Sequence, residues 1–244
     1  MSHSIVNSST APIQNVALCL SALKRSMGRS HHLPGLVCFY GPSGYGKSFG
    51  AAYVADHCRA HYVEAKSSWT KKALLLAILQ EMRISPAKTL YEMTDQVAEQ
   101  LVHSQRPLII DEVDHIADKG YIEILRDIYE GSNAALLLIG EEHLPAKLRK
   151  WERFHGRVLD WVPAQPADIK DAQALRQLYC GEVKIGDDLL ARIVEVSRGS
   201  VRRVCVNLER VQSEAMLDGR DSIDLNVWGK RELFTGEAPV RRIV

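Results

Sequence analysis

Residues 36–48 read Leu-Val-Cys-Phe-Tyr-Gly-Pro-Ser-Gly-Tyr-Gly-Lys-Ser, and their reading decides the fold. Leu36 to Tyr40 form an unbroken apolar run, the mark of a strand buried on both faces of a parallel sheet. Gly41 to Ser48 fit G-x-x-x-x-G-K-S, the phosphate-cradling loop that joins such a strand to a helix. Glycines there permit positive φ and close approach of the backbone. Backbone N–H groups converge at the start of the helix, where an anion is favoured. The candidate nucleotide-binding residues are Gly41, Pro42, Ser43, Gly44, Tyr45, Gly46, Lys47, Ser48 and Phe49. Lys47 supplies charge to the β- and γ-phosphates of ATP, and Ser48 offers a hydroxyl to Mg²⁺.

The same texture recurs downstream. His61–Ala65, Pro107–Asp111, Ala135–Gly140 and Arg157–Trp161 read as further strands. Apolar residues at helical spacing mark helices over Ile13–Met27, Ser48–Arg59, Thr70–Arg83, Thr89–Ser104, Tyr121–Tyr129 and Leu144–Phe154. Strands alternating with helices predict an α/β fold, a five-stranded and mainly parallel sheet between helices. After Trp161 the pattern turns helical, over Ile169–Cys180, Asp187–Ser197 and Ser200–Leu217, with no further buried strand expected. The predicted organisation is a polar segment and helix (1–30), the nucleotide-binding core (31–162), a small helical lid domain (163–225) and a tail (226–244). The first ten residues and the tail, with its Arg241-Arg242 pair, read as flexible.

Composition narrows the function classes. The 244 residues include 31 Lys+Arg against 30 Asp+Glu, a net charge of +1, so any contact with a polyanion must come from local clusters. Hydrophobic residues are 46% and charged residues 25%, which excludes a disordered chain, a collagen repeat and a coiled-coil rod. Five scattered cysteines without a C-x-x-C pair read as reduced thiols of a cytoplasmic protein. His57, Cys58 and His61 come nearest to a metal cluster but lack a fourth ligand, and read instead as a helix end and a strand start. No apolar run is long enough for a membrane span, and the N-terminus shows no signal-peptide pattern.

A nucleotide loop with Mg²⁺ needs a second acid, and Leu108-Ile109-Ile110-Asp111-Glu112 delivers one. The apolar run carries Asp111 to the C-terminal edge of the sheet, where ligands sit in open α/β folds. Asp111 is the candidate metal residue beside Ser48, and Glu112 the candidate base that orients the attacking water. Asp114 reads first as a cap of the helix that follows, with an acid supporting the Mg²⁺ site from behind as the alternative.

Gly41–Ser48 with Asp111-Glu112 resembles the paired nucleotide motifs of the AAA+ ATPases. Leu136–Ile139 is similar to the strand that carries their first sensor residue, though Gly140 stands where a polar residue is usual. Arg198–Arg203 resembles the start of the second sensor helix, with Arg202 in the nucleotide-contacting slot. Leu138–Glu141, Leu144 and Arg153-Phe154 bring the likeness nearest to the transposition ATPases of the MuB, TnsC and TniB kind. Proteins of that kind can carry an N-terminal helix-turn-helix domain, for which too few residues precede the loop here. The resemblance implies an arginine finger acting on a neighbour's ATP, with Arg153 and Arg157 as candidates and Arg153 preferred. It implies a homo-oligomer, a helical filament or ring, on double-stranded DNA with little sequence preference, a transposase as partner, and slow hydrolysis as the disassembly switch.

The resemblance also points to the loop after the second strand as the DNA-facing one. Lys66, Trp69, Thr70, Lys71 and Lys72 lie there, and phosphate contacts of this type confer affinity without reading sequence. Lys147 and Lys150 form a second basic face. A helicase loader or replication initiator is the alternative reading. A small-molecule P-loop kinase would need a base near its acceptor and no arginine finger.

Overall fold

The computed structural model describes residues 10–238. Residues 1–9 and 239–244, including Arg241-Arg242, lie outside the described residues. Contacts divide the rest into an α/β unit, residues 15–43 and 47–164, and a mainly helical unit, residues 10–14, 44–46 and 165–238.

The α/β unit runs α1 (Gln14–Met27), β1 (Leu36–Tyr40), α2 (Lys47–His57), β2 (His61–Glu64), α3 (Lys71–Glu81), α4 (Leu90–Ser104) and β3 (Leu108–Asp111). It continues with α5 (Asp114–Asp118), α6 (Ile122–Ser132), β4 (Leu136–Gly140), α7 (Leu144–Leu148), α8 (Glu152–His155) and β5 (Val158–Pro163). The five strands form one parallel sheet in the order β2-β3-β4-β1-β5. The apolar runs of β1, β3 and β4 are the three central strands, which explains why they lack a polar alternation: both faces are covered. Leu36, Cys38, Leu108, Ile110, Leu136 and Leu138 share a core with α3, α4 and α6, while the alternate residues Val37, Phe39, Ile109, Leu137 and Ile139 are equally buried. Burying each such side chain stabilises the fold by roughly 1.5–3 kcal/mol. The α4 helix starts on a capping box, Thr89 with Glu92, a device of about 1 kcal/mol.

Register aligns the strand ends. Ile110 pairs with Leu138, and Leu138 with Cys38. The bonding continues past the strands: Gly41 N–H donates to the Gly140 carbonyl at 3.3 Å and Val113 N–H to the Ile139 carbonyl at 2.9 Å. The segments that begin at Gly41, Glu112 and Glu141 therefore leave the sheet from one edge, side by side.

Two local expectations need correction. The stretch 144–154 is two short helices with a break at Trp151, whose ψ is 72°. One continuous helix would set Phe154 about 120° around from Leu148; the break lets Leu144, Leu148 and Phe154 all be fully buried. Asp114 caps nothing: the N-cap of α5 is Val113, without a side-chain bond, and Asp114 sits in the first turn, 4% exposed.

The second unit holds α9 (Ile169–Tyr179), α10 (Asp187–Ser197), α11 (Val201–Leu217) and α12 (Leu225–Trp228). Asp168, Ser200 and Asp224 cap α9, α11 and α12. The α11 stripe Val201, Val204, Leu208, Val211 and Ala215 is buried, the 3-4 spacing of a core-facing helix. Two short strands unforeseen from the sequence, β6 (Lys184–Ile185) and β7 (Ser222–Ile223), pair in parallel. Buried Asn207 holds the segment after α12: it donates to the Phe234 carbonyl at 3.0 Å and accepts the Phe234 N–H at 2.7 Å.

Candidate functional site

The loop after β1 has the backbone its glycines predict: φ is 83° at Gly44 and 81° at Gly46. Gly41 is needed for space, since a Cβ there would lie 2.9 Å from the Cβ of Ala164. Lys47 opens α2, and its Nζ donates to the carbonyls of Gly41 at 2.7 Å and Pro42 at 2.9 Å. Its charge is thus held inside the loop. Ser43 and Ser48 are exposed, while Pro42, Tyr45 and Phe49 are half-buried. Gly44 to Gly46 belong by contact to the helical unit: the Arg202 N–H, in the first turn of α11, donates to the Gly44 carbonyl at 3.1 Å. The Arg202 side chain is exposed.

β3 carries Asp111 to the sheet edge, where it is 1% exposed. Its Oδ1 accepts the Glu112 N–H at 2.8 Å, and its Oδ2 accepts the Tyr62 hydroxyl at 3.1 Å. Tyr62 is a site residue that sequence reading missed. It lies within a predicted strand, and only the β2–β3 register shows that its phenol reaches Asp111. Glu112 has a φ of 55°, in the left-handed region. A non-glycine residue pays strain there, which recurs at functional sites.

Electrostatics tie these groups together. Burial, and next the charge of Asp111, raise the Glu112 carboxyl above the ordinary carboxylate range; His115 and Lys47 pull it back and Glu141 adds to the rise. Burial lowers the Lys47 ammonium, opposed by Asp111, Glu112, Glu141 and Asp114. Lys47 therefore stands among four carboxylates. Burial raises the Tyr62 phenol as well, with Asp111 next.

The donor set suits Mg²⁺ and a triphosphate. Among the described residues no group of three His, Cys, Asp or Glu could hold a metal on its own. Asp111 and the Ser48 hydroxyl are hard oxygen donors, and Mg²⁺ characteristically takes one or two protein oxygens and completes its shell with phosphate and water.

The candidate fingers differ. Arg157 is ion-paired with Glu130. Arg153, in α8, is exposed and makes no side-chain hydrogen bond or ion pair among the described residues.

The first basic cluster and Lys150, from the second, share a surface lined by aromatic rings. Thr70 caps α3 by accepting the Ala73 N–H at 3.2 Å. Lys66 Nζ lies 5.8 Å from the Trp69 ring centre, Lys71 Nζ 5.4 Å from that of Tyr121, and Lys150 Nζ 5.7 Å from that of Trp151. Lys119 Nζ donates to the Trp69 carbonyl at 2.8 Å. The Trp151 ring passes 3.7 Å from where a Cβ on Gly120 would stand. Lys119 was missed because nothing in sequence brings 119 to 69. Lys72 is exposed. Lys147 does not join this surface: its Nζ is 3.0 Å from Asp114 Oδ1 and 2.9 Å from Asp118 Oδ2, so its charge is already matched.

The model of one protein family, described as an AAA domain, matches residues 30–148. Among curated protein sequences no match is found. Among solved structures, Cdc6p from Pyrobaculum aerophilum superposes with a TM-score of 0.64 at 17% identity, over 91% of this chain and 66% of that one. The Aeropyrum pernix Orc1 protein in complex with DNA gives 0.63 at 16% identity, again over 91% and 66%. The Thermotoga maritima RuvB Holliday junction branch migration motor gives 0.55 at 19%, over 87% and 66%. At these identities the likeness is one of fold, the AAA+ P-loop ATPase fold. The chain spans 66% of the length of each of these proteins.

Proposed function

We propose that this chain, with its AAA domain match over residues 30–148, is an ATPase that assembles on duplex DNA, selects target sites for a transposase and activates it, with slow hydrolysis releasing the assembly. The observation that carries the ATPase reading is the convergence of Lys47, Asp111 and Glu112 at one edge of the sheet. Phosphates enter at the N-terminus of α2, where free N–H groups and Lys47 offset their charge. Mg²⁺, when bound, neutralises charge on the β- and γ-oxygens. Asp111 and Ser48 would hold it, and Tyr62 orients Asp111. Glu112, held at a φ in the left-handed region and with a raised pKa, takes the proton of the attacking water. By the likeness of 198–203 to a second sensor motif Arg202 is assigned to the nucleotide, and Arg153 completes a neighbour's site.

The DNA reading is supported by the surface of Lys66, Lys71, Lys72, Lys119 and Lys150. The half-buried rings of Trp69, Tyr121 and Trp151 serve there as platforms that fix ammonium groups for phosphates, so binding tolerates any sequence. The transposase role rests on the motif likeness of Leu138–Glu141 and Arg153-Phe154. A cytoplasmic setting agrees with the five free thiols; no helix among the described residues is long and apolar enough to cross a membrane.

A second reading, a replication-initiator or helicase-loader ATPase, is favoured by the likeness to Cdc6p and to Orc1 bound to DNA. Electron microscopy of the protein with duplex DNA under ATP, ADP or no nucleotide, paired with a strand-transfer assay using a purified transposase of the kind such ATPases serve, separates them. ATP-dependent filaments that stimulate transfer support the first reading. ATP-dependent DNA complexes that load a helicase and leave transfer unchanged support the second. No ATP-dependent DNA binding removes both.

A further inference from the structure

Gly140 ends β4, and its φ lies outside the left-handed region, so backbone conformation does not demand glycine there. Space does. A Cβ at this position would lie 2.3 Å from Asp114 Oδ2 and 2.8 Å from Leu144 Cδ2. The Asp114 carboxylate fills that volume. Its Oδ2 accepts the Glu141 N–H at 2.6 Å, and its Oδ1 faces Lys147 Nζ at 3.0 Å. Three segments meet on it: the turn that carries Asp111 and Glu112, the loop after β4, and α7.

A buried carboxylate is costly unless paired, and this one caps no helix. Its partners instead tie Glu141 to the Glu112 turn. The charges of Asp114 and Glu141 both bear on Lys47, and that of Glu141 bears on Glu112. Asp114 follows Glu112 by two residues, and its bond to the Glu141 N–H joins that turn to the end of β4.

We propose that Asp114, neutralised by Lys147, is a positioning residue for hydrolysis: it takes the volume left open by Gly140 and fixes the end of β4 against Glu112, so that the attacking water meets its base in line. This rests on the ATPase reading above. A misplacement of about 1 Å at such a base costs up to about 10²-fold in rate.

The test compares parent, Glu112→Gln, Asp114→Ala, Asp114→Asn and the exchange Asp114→Ala/Gly140→Asn, measuring kcat, KM for ATP, nucleotide affinity and melting temperature. Asp114→Ala should lower kcat by at least about tenfold while KM and nucleotide affinity stay within about twofold. Asp114→Asn keeps the acceptor for Glu141 N–H and loses the charge, so its kcat should fall between the two. The exchange puts a polar side chain back into the same volume from the strand side and should recover part of the lost kcat. A parent that turns over no ATP defeats the ATPase reading. A parent far above Glu112→Gln, with Asp114→Ala equal to the parent, defeats the positioning role alone. So does an Asp114→Asn that turns over no faster than Asp114→Ala. If all Asp114 variants melt too low to bind nucleotide, the carboxylate is a structural pin and the proposal falls.

Discussion

At the scale of single residues, Glu112 gives the sharpest expectation. Glu112→Gln keeps shape and hydrogen-bonding reach but removes the base, so ATP should still bind while turnover falls by about 10²-fold or more. Because burial and Asp111 raise its pKa, activity of the parent should decline on acidification from above the ordinary carboxylate range. A steady-state pH series checks this, and an acid limb at the usual glutamate value would contradict it. The candidates Lys47, Ser48, Asp111 and Glu112 could be nominated from sequence because each pair stands at short spacing at the end of its own apolar strand. The contact of Tyr62 with Asp111 and the pairing of Asp114 with Lys147 could not be read there. Each acts through a partner from another element, at 3.1 Å to Asp111 or 3.0 Å across the Asp114–Lys147 pair, and only strand register and helix packing create such pairs.

At the scale of elements, β2 begins on a liability. His61 is 1% exposed and neither ring nitrogen has a hydrogen-bond partner among the described residues. Burial first, then Arg106, lower its pKa from 6.5 to about 4. Between those values the unfolded chain binds the extra proton and the folded chain does not. Stability contributed by the neutral ring is therefore present above pH 6.5 and is lost as pH falls toward 4. His61→Leu removes two unpartnered nitrogens, so denaturant melts should show a flatter pH dependence across that window; an unchanged slope would assign the acid loss elsewhere. The strand itself was readable as a recurrence of the short apolar run of β1, since such runs are local properties of the sequence. The sequence also ran one helix through 144–154, because helical spacing cannot see that Phe154 must turn inward with Leu148. The basic surface is likewise an element-scale object. Each lysine that displaces counterions adds about 0.9 to the magnitude of the salt slope of duplex binding. Lys71→Ala/Lys72→Ala should flatten it by up to about 2, and Lys119→Ala by up to about 0.9, with ATP affinity kept. Equal slopes across a salt series would move the DNA surface away from α3.

At the scale of the whole molecule, the finger proposed above ties one chain's nucleotide site to its neighbour. Among the described residues of the α/β unit, the exposed arginine without a partner in the segment of the two candidates, Arg153, sits on α8, the short helix that precedes β5. Arg157, the other candidate, is matched by Glu130, and an arginine that is already paired must break that pair before it can serve a neighbour. A finger supplied in trans makes hydrolysis depend on assembly, and a head-to-tail contact that does not close makes the assembly a filament. The consequence is a complementation that no single-site defect shows. Arg153→Ala should bind ATP and DNA yet hydrolyse at least about 10³-fold more slowly, in the range a missing finger costs. Lys47→Ala should fail to hold ATP but still offer its own Arg153. Mixed on DNA, the two defective proteins should form interfaces with an intact ATP site on one side and an intact finger on the other, and activity should rise to a maximum near equal amounts. Turnover that stays at the sum of the two variants at every ratio would place the finger within the same chain or remove it. A maximum that appears only when Arg157→Ala replaces Arg153→Ala would transfer the role to Arg157.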